Sequence, residues 1–419
     1  MTDASELWRE HLLLTPTKTP KSILANAITA LREAPAWRGV LAYNEFRREA
    51  VIESYPPWDP QVSTWVVRPW TDHDDLLATD WLQKAGITVQ SKITAQAVEV
   101  AARDRSFHPV REYLSSLQHD GVSRLGTWLA TCWSAERTPY TATIGRSMMI
   151  AAVARIFEPG CKVDTVPIFE SDQGKMKSTA IKALFDPWFT DELADLGSKD
   201  AAMQTRGVWG IEVSELDSMA RTDVSRIKAF LTRTTDRYRP PYGSRLVESP
   251  RSCVFWGTTN SDAYLKDETG GRRFWPVKSG RININLIREI RDQLWAEAVV
   301  LYQAGEPWWI TKKETLADAA RHQRDRYIGD PWDDMISSYV DLQSEVTIDE
   351  VLRLALHLEI GRCGQLEMNR VARSLRAVGC HRFQARTTGG KRVWKYRKPA
   401  IEEDTGNVTT LRAVVTTNR

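Results

Sequence analysis

The stretch from residue 166 to residue 181, which reads VPIFESDQGKMKSTAI, constrains the fold of this chain more than any other. Its apolar start predicts a strand, its polar middle a turn, and KST the first residues of a helix. This order is typical of a phosphate-binding loop, because backbone N–H groups at a helix start face the phosphates of a nucleotide. We therefore predict a site for ATP and Mg²⁺ formed by Asp172, Gln173, Gly174, Lys175, Met176, Lys177, Ser178 and Thr179.

Two positions of this stretch depart from the strict motif G-x-x-x-x-G-K-[ST]. Lys177 and Ser178 stand where a lysine reaches the β/γ-phosphates and a hydroxyl ligates Mg²⁺. Ser171 and Met176, however, replace the two glycines, and a side chain at the second glycine crowds the phosphates. Taken alone, the stretch fits a surface turn with solvated Lys175 and Lys177 equally well, so the rest of the chain must decide.

Two apolar runs downstream end in polar side chains. The run 208–213 (VWGIEV) contains Glu212 and is followed by Glu215, and the run 253–260 (CVFWGTTN) ends at Asn260. In phosphate-loop ATPases one strand carries an acid that holds Mg²⁺, and a second acid polarises the attacking water. An amide at the tip of a neighbouring strand orients that water or senses the γ-phosphate. The other interpretation of the first run is an edge strand with solvated acids.

Two basic segments follow the same region. Arg272 and Arg273 come after a glycine-rich turn in DETGGRRFWPV, which suits an arginine finger that reaches a neighbouring subunit's phosphate, or else a structural pair on a turn. Residues 227–243 (IKAFLTRTTDRYRPPYG) interleave basic and aromatic side chains, which suits contact with single-stranded DNA, or else a solvated loop. The predicted DNA contacts of this segment are Lys228, Arg233, Arg237, Tyr238, Arg239 and Tyr242.

The last region changes character after residue 330. A helix, a second helix at 365–378 and a hairpin around Gly389-Gly390 follow one another, which is the order of a winged-helix module. Residues 380–399 contain seven Lys or Arg and no Asp or Glu, which indicates contact with a nucleic-acid backbone, and we place Lys391 and Arg392 there. A winged helix that contacts only proteins is the alternative.

Composition limits the remaining possibilities. The net charge of +3 is small, so any nucleic-acid binding depends on local patches. The five cysteines show no C-x-x-C spacing, and neither a signal peptide nor a long apolar run is present, which predicts a cytoplasmic protein without a membrane role. The cluster TDHDD at 71–75 precedes an apolar run, so we interpret it as a helix start rather than a metal site.

The order of these blocks resembles the virulence-associated E family of prophages and mobile genetic islands, which is related to superfamily 3 helicases. The resemblance covers residues 108–277 and rests on HPVREYL, DG-x-x-RL, FESDQGKMKST, GIEVSELD, AFLTRTTDRYRPPYG, FWGTTN and DETGGRRFWPV. It implies a hexameric ring that uses ATP at subunit interfaces to move along single-stranded DNA. It also implies roles for matching residues: phosphate and Mg²⁺ binding by Lys177 and Ser178, the acidic motif by Glu212 and Glu215, the sensor by Asn260, and the finger by Arg272 or Arg273.

Together these features predict an α/β protein with a P-loop AAA+-like ATPase core. The predicted domains are an N-terminal α+β region (1–105), a helical collar (106–160), the core (161–329), a winged helix (330–399) and a disordered tail (400–419). The predicted function is a DNA-dependent ATPase and replicative helicase of a phage or mobile element. Its predicted partners are single-stranded DNA, origin duplex DNA, and a primase or polymerase of that element. The alternatives are a non-unwinding origin-binding or regulatory factor with a weakened nucleotide site, and a nucleotide-driven switch.

Overall fold

The computed structural model describes residues 6–59, 64–192, 199–214, 229–239, 245–265, 271–326, 330–359, 361, 363–386, 390 and 392–398. The chain divides into two compact units, Met1–Arg326 and Tyr327–Arg419. The finer domain boundaries given above stay predictions. Within the described ranges, no helix combines the length and the apolar character that crossing a bilayer requires.

The first unit mixes helices and strands. Its main α-helices are α1 (Leu24–Glu33), α2 (Asp72–Lys84), α3 (Ser91–Ala102), α4 (Pro109–Ser116), α5 (Trp128–Trp133), α6 (Pro139–Phe157), α7 (Lys177–Phe185), α8 (Lys199–Gln204), α9 (Ile284–Gln303) and α10 (Lys313–Asp325). Its strands are β1 (Leu41–Asn44), β2 (Glu49–Ile52), β3 (Arg68–Pro69), β4 (Ser106–Phe107), β5 (Val166–Glu170), β6 (Phe189–Thr190), β7 (Gly210–Val213), β8 (Thr235–Tyr238), β9 (Val247–Pro250), β10 (Val254–Thr259) and β11 (Phe274–Lys278). The predicted α/β class is confirmed.

The N-terminal part of this unit is a small sheet, in the order β3-β2-β1-β4, that shares an apolar core with α1, α2 and α3. Its helix α2 begins at the TDHDD cluster. The Asp74 carboxylate accepts a hydrogen bond from the Thr71 backbone N–H at 2.9 Å and forms a bidentate pair with Arg68 at 2.7 Å. The interpretation of this cluster as a helix start is therefore confirmed.

Three helices, α4, α5 and α6, lie in the chain between this N-terminal sheet and the central sheet. Helix α6 is preceded by a capping box at Thr138 and is buried on nearly all sides, including Met148 and Met149. The next helix, α5, begins only at Trp128. Before it, the Glu297 carboxylate accepts hydrogen bonds from the backbone N–H groups of Arg124 and Leu125 at 2.6 and 2.9 Å. The D-G-x-x-R-L block is thus a loop pinned by α9.

The central sheet has five parallel strands in the order β11-β5-β10-β7-β6. Successive side chains of β10 alternate between two cores: Trp256 packs toward the helices α6, α7 and α9, and Phe255 toward the opposite face. Both faces are covered, which explains why these strands read as continuous apolar runs. The strand β7 lies inside the sheet, between β10 and β6, so its interpretation as an edge strand is wrong.

A separate antiparallel hairpin, β8 and β9, comes just before β10 in the chain. Its base is held by a fully buried ion pair, in which Arg251 Nε and Nη2 donate to Asp236 at 2.6 and 2.8 Å. Arg251 lies just before β10, and its guanidinium is also 4.2 Å from the centre of the Phe230 ring. The hairpin is therefore fixed to the same strand that leads toward Asn260.

The second unit contains α11 (Asp333–Val340), α12 (Ile348–Glu350, continued by a π-helical turn at Val351–Ala355), α13 (Gln365–Ala377) and the antiparallel strands β12 (His381–Arg386) and β13 (Arg392–Arg397). Val346 and Tyr396 form an isolated bridge that ties the hairpin to the segment before α12. The small core includes Ile336, Val351, Val371 and Leu375. Helices followed by a hairpin agree with the predicted order, and the winged-helix assignment stays a prediction.

Candidate nucleotide-binding site

The loop between β5 and α7 has the backbone geometry of an anion site. The strand β5 is entirely buried, and α7 begins at Lys177, so the first free N–H groups of the helix lie at the end of the loop. Gly174 has φ of 80° and Met176 has φ of 65°, both in the left-handed region. Met176 thus adopts the conformation for which the motif normally uses glycine, at a cost of about 1–2 kcal/mol.

Lys177 is the most extensively hydrogen-bonded candidate of this loop. Its side chain is 7% exposed, and Nζ donates to Ser171 O at 2.8 Å, Ser171 Oγ at 3.0 Å, Asp172 O at 3.2 Å and Asn260 Oδ1 at 2.9 Å. Burial lowers the pKa of Lys177, against the attraction of Asp172 and Glu212. The predicted phosphate lysine and the predicted sensor amide are therefore in direct contact, although 83 residues separate them in sequence.

Glu212 lies beside this pair with an unusual environment for a carboxylate. It is 1% exposed, and its Oε1 accepts hydrogen bonds from Ser178 Oγ at 2.7 Å and from Thr258 Oγ1 at 2.6 Å. Its Oε2 is buried and has no hydrogen-bond partner in the part of the chain that the structure describes. Burial raises the pKa of Glu212, which the two hydroxyl donors partly offset. A buried acceptor without a donor is costly unless a ligand completes it.

Lys177 and Asn260 border one cavity of about 290 Å³, and Glu212 is hydrogen-bonded to two other residues of its lining, Ser178 and Thr258. Its lining comprises residues 173–179 of the loop, Ser214 after β7, and Thr258, Thr259 and Asn260 at the end of β10. The carboxyl ends of three neighbouring parallel strands, β5, β10 and β7, therefore lie at the same cavity. The strands β10, β7 and β6 lie on one side of β5, whereas β11 lies on the other. A crevice at such a reversal of strand order is where open α/β sheets bind ligands.

The oxygen atoms present fit a magnesium ion held together with a nucleotide. Mg²⁺ prefers one or two carboxylates completed by water and substrate phosphates. Ser178 lines the cavity, and its hydroxyl donates to the Glu212 carboxylate, whose Oε2 has no partner among the described residues. Across the described residues, no group of three or more His, Cys, Asp and Glu side chains is arranged to hold a metal by itself. The site therefore fits a cation that arrives with phosphates.

The remaining predicted site residues are placed less centrally or lie outside the described residues. Arg272 is exposed and Arg273 partly buried, both in a single 3₁₀ turn at Gly271–Arg273, and neither lines the cavity. Arg273 Nε is buried without a hydrogen-bond partner among described groups. The residues that lie outside the described ranges are Glu215, Lys228, Tyr242 and Lys391.

The predicted DNA-contacting segment, residues 227–243, contains the strand β8, which places neighbouring side chains on opposite sides. Arg237 and Arg239 are exposed, whereas Tyr238 is only 4% exposed and so offers little ring surface to a base. Arg233 is exposed near the Phe230 ring. Arg237 also donates from Nε to Glu248 Oε1 at 2.8 Å across the hairpin. Arg233 and Arg239 are thus open to a phosphate backbone, whereas Arg237 is exposed but paired with Glu248. In the second unit, Arg392 is exposed on β13.

One buried network behind the loop was missed by the sequence reasoning. Glu170, the last residue of β5, is 3% exposed and pairs with Arg326 through Oε1 at 2.7 Å and Oε2 at 2.8 Å. Tyr264 OH donates to the same carboxylate at 2.7 Å, and the Arg326 carbonyl accepts from the backbone N–H groups of Tyr264 and Leu265. The signal in the sequence was Glu170 itself, an acidic residue at the end of the apolar run 166–170.

This geometry defines a parallel α/β unit with a candidate anion site at a loop-to-helix junction, beside a buried acid. The model of the Virulence-associated protein E-like domain matches residues 114–328, just over half of the chain, so the chain belongs to this family. The family expected from the sequence is thereby confirmed. The match includes every residue of the cavity.

Comparison with solved structures gives distant similarities. "The apo structure of NrS-1 C terminal region (305-718)" aligns with a TM-score of 0.44 and 11% identity, over 86% of this chain and 96% of that chain. "The A form apo structure of NrS-1 C terminal region-CTR" aligns with a TM-score of 0.45, 11% identity and the same coverage. None of the curated proteins compared with this chain matches it.

The left-handed Met176 gives a direct test of the loop. We expect Met176→Gly to raise the free energy of unfolding by about 0.5–1 kcal/mol, because the relief of strain exceeds the added entropy of the unfolded chain. ATP affinity should stay the same or rise. Denaturant unfolding and nucleotide titration measure the two effects. Met176→Ala is the matched control: it shortens the side chain but keeps the strain, so it should not gain stability, and an equal gain would contradict the backbone argument.

Proposed function

We propose that this protein is a DNA-dependent ATPase with a P-loop AAA+-like core, and that it works as a replicative helicase of a phage or mobile element. The observation that carries the proposal is that Lys177, Ser178 and Asn260 line one cavity at the carboxyl ends of β5, β7 and β10, with Glu212 joined to Ser178 by a hydrogen bond. Family membership and the parallel sheet support it.

In this proposal the chain's own groups bind and orient the nucleotide. Lys177 exchanges its loop acceptors for the β/γ-phosphate oxygens, and the N–H groups at the start of α7 donate to the same phosphates. Ser178 and Glu212 would hold Mg²⁺, which when bound neutralises charge on the phosphates. Asn260, released by Lys177, orients the attacking water or senses the γ-phosphate. Glu215 is the other acid proposed to act on that water.

Transition-state charge would be stabilised from a second subunit. Arg272 and Arg273 lie outside the lining of the cavity, which suits a finger that reaches the cavity of a neighbour. A finger acting in trans requires heterologous, ring-closing contacts, and we propose a homo-hexamer. A primase or polymerase of the same element is the proposed further partner.

The experiment that tests the function measures three quantities on the full chain: ATP hydrolysis with and without single-stranded DNA, unwinding of a forked duplex, and the mass of the assembly with ATP. Stimulation by DNA, unwinding and a ring are the expected results. Hydrolysis without unwinding would leave a nucleotide-driven switch. Absence of hydrolysis would favour a non-unwinding initiator or regulatory factor with a weakened site, for which the strained Met176 is the specific observation.

The exposed arginines of the β8–β9 hairpin should couple DNA to hydrolysis. We expect Arg237→Ala with Arg239→Ala to abolish stimulation by single-stranded DNA while basal hydrolysis remains, because neither residue lines the nucleotide cavity. The log–log salt slope of DNA binding should flatten by about 0.7 for each phosphate that the variant no longer neutralises. Salt-dependent binding and ATPase assays measure both.

The control for this prediction is a variant that should strengthen DNA binding rather than weaken it. Glu248→Gln removes the carboxylate that now pairs with Arg237, so DNA binding should strengthen modestly. Normal DNA stimulation in the double arginine variant would show that the hairpin is not the coupling element.

A further inference from the structure

The β12–β13 hairpin of the second unit has two faces of different character. The register pairs Arg382 with Tyr396, Gln384 with Trp394 and Arg386 with Arg392, so these six side chains share one face by the period-2 rule. Of these six, all but Tyr396 are exposed. The other face carries the half-buried Phe383, Ala385, Val393 and Lys395, with the exposed His381 and Arg397 at its end. The exposed face is therefore made of arginines around a tryptophan.

Trp394 is the centre of this face. Its side chain is 46% exposed, although a large aromatic ring on a small unit usually packs into the core. It lies opposite Gln384 in the register and is flanked along β12 by Arg382 and Arg386, with Arg392 two residues away on β13. The Arg382 guanidinium lies 3.9 Å from the ring centre. An open aromatic surface is thus bordered by cations along its length.

Acidic side chains neutralise two lysines at the end of this segment but not the three arginines of the exposed face. Lys395 pairs with Glu345, and Lys398 pairs with Asp341. Within the described part of the unit, Arg382, Arg386 and Arg392 form no ion pair. The segment 380–398 contains no Asp or Glu. The face therefore combines free positive charge with an exposed ring, a combination complementary to phosphates and unpaired bases.

We propose that this face binds single-stranded nucleic acid, with an unpaired base stacked on Trp394 and Arg382 and with Arg386 and Arg392 on the adjacent phosphates. The inference rests on the proposed function in that it names how the second unit contacts nucleic acid. Stacking requires an exposed base face, and a duplex presents only base edges in its grooves. Trp394 therefore makes the hairpin prefer single strands, whereas arginines alone would bind duplex and single-stranded phosphates alike.

The competing explanation of this face is that Arg382 and Trp394 only stabilise the hairpin. Arg382 and Trp394 are diagonal neighbours across the two strands, and such a cation–π contact stabilises a hairpin without any ligand. That role predicts a loss of stability on removal of either side chain, together with equal effects on all ligands. The stacking role predicts a selective loss of single-strand affinity with an unchanged charge dependence.

The test measures binding of the full chain, without ATP, to labelled oligo(dT) and to a duplex of the same length over a series of salt concentrations. Trp394→Ala should weaken oligo(dT) binding by about 10-fold or more and leave duplex binding within about 2-fold. Its salt slope should equal that of the wild type, because the variant keeps every arginine that neutralises a phosphate. Arg392→Ala should instead flatten the slope by about 0.7 on single strands.

Two further variants separate stacking from folding. Trp394→Phe keeps an aromatic ring and should retain most of the single-strand affinity. Trp309→Ala removes a tryptophan that is 53% exposed in the first unit and should change neither ligand's affinity. Thermal unfolding of each variant shows whether a loss of affinity is caused by unfolding. If Trp394→Ala unfolds, the single-strand affinity of Trp394→Phe decides between stacking and a structural role.

The outcomes are distinguishable from those of the proposed function. An equal loss for both ligands in Trp394→Ala, or no loss for either, would overturn the stacking site, and a protein or other ligand would then have to cover this face. Selective loss of oligo(dT) binding would support it even if the chain hydrolyses no ATP. Conversely, DNA-stimulated hydrolysis with an inert Trp394 would leave the proposed function standing alone.

Discussion

Lys177→Ala should reduce ATP hydrolysis by at least about 100-fold, the loss typical of removing one group aimed at developing charge. Within the described part of the loop, Lys177 is the cation whose Nζ lies among the loop carbonyls and Asn260. A methyl group cannot replace it at the β/γ-phosphates. Multiple-turnover hydrolysis with saturating ATP and Mg²⁺ measures the effect, and nucleotide titration separates a defect in binding from a defect in turnover.

The neighbouring Lys175 provides the matched control. Its side chain is exposed on the same loop, so Lys175→Ala removes an equal charge two residues from Lys177. We expect a change of no more than about 3-fold, because exposed charges are screened by water and salt. Wild-type hydrolysis by Lys177→Ala, or equal losses in the two variants, would show that the loop is not the catalytic nucleotide site.

Loss of Lys177 also removes several buried hydrogen bonds, so stability must be checked. The four acceptors that Lys177 now satisfies include two backbone carbonyls of the loop. Lys177→Arg keeps the charge and donors but changes their geometry, since the guanidinium is planar and larger. Folding like the wild type together with a large loss of turnover in Lys177→Arg would show that position, rather than charge alone, supports hydrolysis.

Much of the candidate site could be predicted because its residues sit at strand ends. Lys177, Glu212 and Asn260 each follow or end an apolar run, and parallel strands bring their carboxyl ends to one edge. The sequence does not tell which strands are neighbours. It therefore could not show that β10 lies between β5 and β7, or that Thr258 and Ser178 both donate to Glu212.

Other features depended on contacts far apart in sequence. Arg326 and Glu170 are 156 residues apart, and nothing local to either predicts that they pair. The error at Tyr238 is different, because local reasoning could have avoided it. In a strand successive side chains point to opposite sides, so exposed Arg237 and Arg239 imply an inward Tyr238. The prediction placed the basic and aromatic side chains of this segment on one DNA-contacting surface. In the strand they alternate, so the arginines face solvent and Tyr238 faces the interior.

Glu212→Gln should remove hydrolysis while the fold is kept or strengthened. Glutamine retains an oxygen that can accept from Ser178 and Thr258, so the two hydroxyl hydrogen bonds of Oε1 survive. The amide nitrogen replaces the buried, unpartnered Oε2 and cannot ligate a cation. We expect hydrolysis to fall by about 100-fold or more, and its dependence on Mg²⁺ concentration to be lost.

The same substitution should not lower the midpoint of thermal unfolding, since it removes a buried negative charge that no cationic side chain pairs with in the described part of the chain. Thr258→Val is the control, because it keeps the acid and deletes one hydroxyl donor; we expect a loss of activity of about 10-fold or less with some loss of stability. A protein that keeps a buried carboxylate oxygen without a donor accepts a cost in stability, which a bound ligand would offset. If Glu212→Gln instead unfolds the protein and Thr258→Val abolishes hydrolysis, the carboxylate is a structural acceptor and the ion is held elsewhere.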